Sequence, residues 1–93
     1  MDYRFEDADG DLVQAVWEKG RHTNKAGFES EEWRQDIVGH MISRVKHGRR
    51  DSKFGWEIDH IKPVALGGSD DLDNLQPLYW RTNVSKGDQY PWP

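Results

Sequence analysis

Leu12, Val13, Val16 and Trp17 fall at i, i+1, i+4 and i+5, one apolar stripe at helical period, which predicts a helix near residues 10–19. Asp9 or Asp11 supplies its N-cap, and Gly20 stands where it ends. Residues 20–30 keep no period, are rich in turn formers and read as a mobile connection. Trp33, Ile37, Val38, Met41, Ile42 and Val45 regain a helical rhythm, which Gly39 interrupts at a cost of about 1 kcal/mol relative to Ala. A helix to about residue 38, a turn and a strand over 41–45 fit the same pattern.

His47 to Lys53 is a polar connection. After it Trp56 and Ile58 alternate with Glu57 and Asp59, as in a half-buried strand over residues 55–60. Residues 61–74 sustain turn chemistry (Pro63, Gly67-Gly68, Ser69 and several Asp and Asn), and a loop of that length is usually functional or packed on itself. Leu75-Gln76-Pro77-Leu78 predicts a short second strand, confined to an edge by Pro77. Tyr79 to Lys86 predicts a short helix, stopped by Gly87 and closed off by Pro91, with Trp80 and Val84 packing it onto the strands rather than stacking on a base.

With 93 residues and 34% of them hydrophobic, the chain makes a single small domain with room for one site, whose core leans on five Trp, three Tyr and three Phe. Without cysteine, neither disulfides nor a cysteine zinc site supports the fold. No membrane span and no signal peptide can be read, so a cytoplasmic location is expected.

The net charge of −4 excludes a protein that coats DNA over its whole surface, but the charge is unevenly spread. Residues 1–18 carry six acids (Asp2, Glu6, Asp7, Asp9, Asp11 and Glu18) against Arg4 alone. Residues 44–62 carry six bases (Arg44, Lys46, Arg49, Arg50, Lys53 and Lys62) against three acids. That basic block is a solvated surface when read alone. Clustered Lys and Arg are also what a phosphate backbone binds.

The chemistry is concentrated between Gly55 and Asp88. Asp59-His60-Ile61-x-Pro63 is followed by Gly67-Gly68-x-Asp70, Asn74-Leu75-x-x-Leu78 and Asn83-x-x-Lys86, with Asn74 fourteen residues after His60 and nine before Asn83. This ordered set resembles the core motif of the HNH nucleases over about a third of the chain. The resemblance implies an α+β fold with a ββα-metal core, also called a His-Me finger, over residues 54–88 and an N-terminal helical extension. Residues 1–53 would brace that core, and the reading with a strand over 41–45 is the one favoured. Asp36 to Gly39 lies roughly where many relatives carry a Cys-x-x-Cys zinc knuckle, so packing and hydrogen bonds are expected to replace that metal.

The resemblance also implies roles. Asp59 ligates a metal, His60 is the general base, Asn74 orders the loop and helps hold the ring of the base, and Asn83 is a second ligand where many relatives have His. An imidazole is largely neutral at pH 7 and can take a proton from water. The amide oxygen of Asn83 points to one hard divalent cation, Mg²⁺ or Mn²⁺, with Ni²⁺ or Zn²⁺ as the alternatives. Neighbours on a strand face opposite ways, so Asp59 and His60 share a site only if the strand ends or bends there. Lys86 is the first candidate for a DNA phosphate, followed by Arg81, Arg44, Arg49, Arg50, Lys53 and Lys62.

His22, His40 and His47 have no carboxylate partner at ligand spacing and read as non-catalytic. Asp7-Ala8-Asp9-Gly10-Asp11 has Leu12 where a calcium loop needs glycine, so helix capping explains those acids. The expected activity is metal-dependent hydrolysis of double-stranded DNA. Two other readings share the scaffold: a catalytically silent DNA-binding module, and a toxin nuclease domain with an immunity partner.

Overall fold

A computed structural model describes residues 3–92, so Asp2 of the acidic segment lies outside the described residues. Helix α1 spans Gly10–Trp17, capped by Asp9, whose carboxylate accepts the Asp11 N–H at 2.6 Å. Its stripe turns Val13, Val16 and Trp17 inward, and Gly20 N donates to Trp17 O at 3.0 Å just after the helix ends.

The helical rhythm of residues 33–45 is not realised. Strand β1 (Trp33–Gln35) and strand β2 (Met41–Ser43) form an antiparallel hairpin instead, so only the strand expected near 41–45 is found. The cause is local. Asp36 Oδ1 accepts the N–H groups of Val38 at 3.2 Å and His40 at 2.8 Å, which diverts two donors from a helix, and Gly39 takes φ +89° to close the turn. Ile37 and Val38 are left exposed at the hairpin tip. Residues 20–30 are irregular but anchored: Arg21 exchanges both backbone hydrogen bonds with Gln35, and the Phe28 ring meets Trp33 edge-on at 4.8 Å.

Strand β3 (Trp56–His60) pairs antiparallel with β4 (Leu75–Tyr79), and helix α2 (Trp80–Lys86) follows directly. Pro77 lies opposite Ile58. The Ile58 N–H points away from β4 and is taken by the Tyr3 hydroxyl, which makes this a pair without mutual hydrogen bonds, so the ladder loses nothing to proline. The loop from 61 to 74 holds two 3₁₀ turns, Val64–Leu66 and Leu72–Asn74.

The core joins Val13, Val16 and Trp17 of α1 to Ile42, Trp56, Ile58 and Leu75, with the Trp17 and Trp56 rings 5.3 Å apart. The fold is α+β with a ββα unit at its C-terminal half, consistent with an HNH core. Asp36 ties the two hairpins together: its Oδ2 accepts Tyr79 N–H at 2.9 Å, while His40 stacks on the Tyr79 ring at 3.7 Å. No helix among the described residues is long and apolar enough to cross a membrane.

Candidate active site

The expectation that β3 is half-buried needs correction, because Glu57 and Asp59 are as buried as Trp56 and Ile58. Alternation puts the two carboxylates on one face, and α2 packs against that face with partners for both. Asn83 Nδ2 donates to Glu57 Oε1 at 2.9 Å, and one turn later Lys86 Nζ donates to Asp59 Oδ1 at 3.0 Å. Arg50 completes the first rung with two bonds to Glu57, at 2.6 and 3.0 Å. Gln76 completes the second, donating to Asp59 Oδ2 at 2.9 Å. Burial pushes the Asp59 carboxyl above the ordinary carboxylate range, against the pull of Gln76 and Lys86.

Lys86 is therefore not placed to meet DNA. It is 1% exposed and also donates to His60 O at 2.9 Å, fixing the end of β3. The packing expected of Val84 is also absent: α2 buries Lys86, while Val84 lies exposed at the rim of a pocket. Trp80 is partly covered and donates its indole N–H to Ser52 O at 2.8 Å.

His60 ends β3, and its ring leaves the strand toward the long loop and the N-terminal segment. Its Nε2 lies 2.6 Å from Asp70 Oδ1, and Arg4 donates to Asp70 Oδ2 at 3.1 Å. The Phe5 ring packs against the imidazole at 5.2 Å. Hydrogen bonds from His60 first, then from Arg4, hold the Asp70 carboxyl below its usual range.

Asn74 does not touch the His60 ring. Its Oδ1 accepts Lys62 N–H at 2.9 Å, and its Nδ2 donates to Lys62 O at 3.0 Å and to Ser69 O at 2.8 Å. It orders the loop and reaches His60 only through Ser69, the residue before Asp70. Gly68 makes this crossing of loop strands feasible, since a Cβ there would sit 1.7 Å from Lys62 O.

Asp59, His60 and Asn83 line one open pocket of about 340 Å³, together with Glu57, Arg4, Arg50, Tyr3 and Phe5. The strand end resolves the facing problem, because side chains from both faces of β3 converge where it stops. Of the basic residues expected to track phosphates, Arg50 is bound to Glu57 at the pocket wall, and Arg49 pairs with Asp51 at 2.7 Å. Arg44 donates to Gln14 at 2.7 Å, Arg81 lies over the Trp80 ring, and Lys53 and Lys62 are exposed. Glu57, Arg4 and Asp70 escaped the sequence reading as site residues. The spacing of Glu57, two before Asp59, was the available signal for the first.

His40 and His47 are engaged elsewhere. His40 stacks on Tyr79, and His47 Nε2 lies 3.0 Å from the Tyr3 hydroxyl. No group of three or more His, Cys, Asp or Glu among the described residues is arranged to hold a metal ion. The donor chemistry nevertheless suits a hard divalent cation that keeps several waters. A carboxylate can only accept, so Glu57 requires the NH₂ of Asn83 to face it and leaves Oδ1, which has no partner among the described residues, turned away. Asn83 and Asp59 both line the same pocket.

Residues 52–89 match the HNH endonuclease family. Over 51 residues the chain is 37% identical to the probable mobile endonuclease C of Enterobacteria phage T4, covering 53% of this chain and 24% of that protein. The chain thus spans about a quarter of the length of the curated relative it matches. No solved structure matches it significantly.

Proposed function

Taking residues 52–89 as an HNH endonuclease segment, we propose that this chain hydrolyses phosphodiester bonds of double-stranded DNA with His60 as general base. The observation that carries the reading is the convergence of Asp59, His60 and Asn83 on one pocket, from a strand end and a helix 23 residues further along the chain. HNH nucleases generally use a divalent metal ion. Here Asp59 and Asn83 Oδ1 would hold it, and their hard oxygens favour Mg²⁺ or Mn²⁺. When bound, the cation stabilises negative charge on the phosphate and on the departing oxygen.

The chain's own residues do the rest. His60 takes a proton from a water, and the water oxygen attacks phosphorus as the P–O3′ bond breaks, leaving 5′-phosphate and 3′-hydroxyl ends. Glu57 fixes the Asn83 amide, and Lys86 with Gln76 fixes the Asp59 carboxylate. Arg4 at the pocket, the half-buried Arg44 and the exposed Lys53, Lys62 and Arg81 give DNA phosphates positive charge to meet. Residues 1–53 brace the unit through α1 and the first hairpin.

Supercoiled plasmid incubated with the purified chain and Mg²⁺, Mn²⁺, Ni²⁺, Zn²⁺ or EDTA, beside His60→Ala, tests the reading. Nicking or linearisation that needs a metal and disappears in His60→Ala is expected. DNA binding without cleavage under every metal would overturn it in favour of a silent binding module.

A further inference from the structure

A base must present one defined ring nitrogen to water, and an imidazole exchanges its proton between two. At His60 the choice is made by a carboxylate. Asp70 Oδ1 lies 2.6 Å from Nε2, and an ionised carboxylate only accepts hydrogen bonds, so Nε2 carries the proton. We propose that Asp70 is a positioning residue for His60, holding the proton on Nε2 and leaving Nδ1 as the nitrogen that takes the proton from water. This rests on the nuclease reading.

Three features keep Asp70 in place. Arg4 donates to both of its oxygens, at 3.1 and 3.4 Å. Asn74 holds the carbonyl of the preceding Ser69 at 2.8 Å. Gly68 N donates to Pro63 O at 2.9 Å, at a crossing too tight for a side chain. On the imidazole itself, Phe5 packs against the ring and leaves the side chain 12% exposed, so rotation of the ring away from Asp70 would break two contacts.

The proton count balances. The water O–H bond breaks, its proton goes to Nδ1, and the electron pair stays on the oxygen that attacks phosphorus. The ring then carries protons on both nitrogens and lies against the Asp70 carboxylate, which stabilises it. The departing O3′ keeps the electron pair of the P–O bond and takes a proton from solvent.

The experiment joins kinetics to ¹⁵N NMR of the imidazole in the whole chain and in Asp70→Asn, a variant of the same shape on an exposed loop. A single Nε2–H tautomer at His60 in the parent and a mixture in Asp70→Asn are expected. With Mg²⁺ or Mn²⁺, kcat should fall about 10- to 100-fold, the usual range for residues that orient a working side chain. KM for plasmid should stay within about twofold, since the lost interaction serves the transition state. Unchanged tautomer populations, a kcat equal to or above the parent's, or a loss confined to KM would each overturn the proposal. A parent chain that does not cleave DNA would sink the nuclease reading, while the tautomer comparison would still decide the role of Asp70.

Discussion

Asp59 and Lys86 meet at 3.0 Å in the interior, and the same ammonium reaches the carbonyl of His60 at 2.9 Å, so one lysine fixes a candidate ligand and the strand end that carries the candidate base. Both side chains are nearly inaccessible, at 5% and 1%. Removing one partner strands the other charge, so Lys86→Met should lower the unfolding free energy by about 3–5 kcal/mol in urea titrations. Its salt dependence of DNA binding should match the parent's. The exposed Arg81→Ala should instead reduce the slope of log K against log salt by about one while leaving stability alone.

Glu57 joins Arg50 to Asn83, and neither bond survives loss of its charge intact. Glu57→Gln keeps the shape but replaces one of its two acceptor oxygens by an NH₂, which must face either Arg50 Nε at the Oε2 place or Asn83 Nδ2 and Arg50 Nη2 at the Oε1 place. Metal affinity, read by calorimetry, should drop about 10- to 100-fold, with the fold retained by circular dichroism. An unchanged affinity would remove Asn83 from the ligand set or Glu57 from its support.

Gly68→Ala should unfasten the loop. The new Cβ meets backbone, not a side chain that could swing aside, so Lys62 and the turn must separate. A stability loss above about 2 kcal/mol by thermal melting is expected, within the range for strained backbone positions. Cleavage should fall further than the lost stability explains, because the loop also carries Asp70.

His47 gives the chain an acid sensitivity outside the pocket. Burial first, then the nearby Arg44, pulls its pKa below the ordinary imidazole value, so the folded chain binds a proton less readily than the unfolded chain. The stability this contributes is complete above the ordinary value and is lost as pH falls through the lower folded one. Urea midpoints taken from about pH 7 to about pH 4.5 should decline more steeply for the parent than for His47→Gln. Equal slopes would show that His47 takes up its proton as readily in the folded chain as in the unfolded one.

The order strand, long loop, strand, helix was legible because Trp56 and Ile58 alternate over a span too short for a helix and the turn residues of 61–74 cluster. Of the first hairpin only the strand near 41–45 was, and that through the family resemblance. Its apolar positions keep a helical rhythm, and what defeats that rhythm is the Asp36 carboxylate taking the N–H groups of Val38 and His40, a contact of one side chain that periodicity cannot register. In the site, residues of one contiguous motif could be named. Arg4 could not, because its partner lies 66 residues away, and Lys86 shares a helix face with Asn83, a spacing that points it at a phosphate and does not reveal the buried pairing with Asp59.

Asp36 accepts three backbone N–H groups at the seam between the hairpins, a place that a chain without cysteine cannot fasten with zinc thiolates. Shape and reactivity are thereby uncoupled. A chelator should extinguish cleavage and lower the melting temperature only by the small mass-action contribution of the bound ion, leaving the chain folded by circular dichroism.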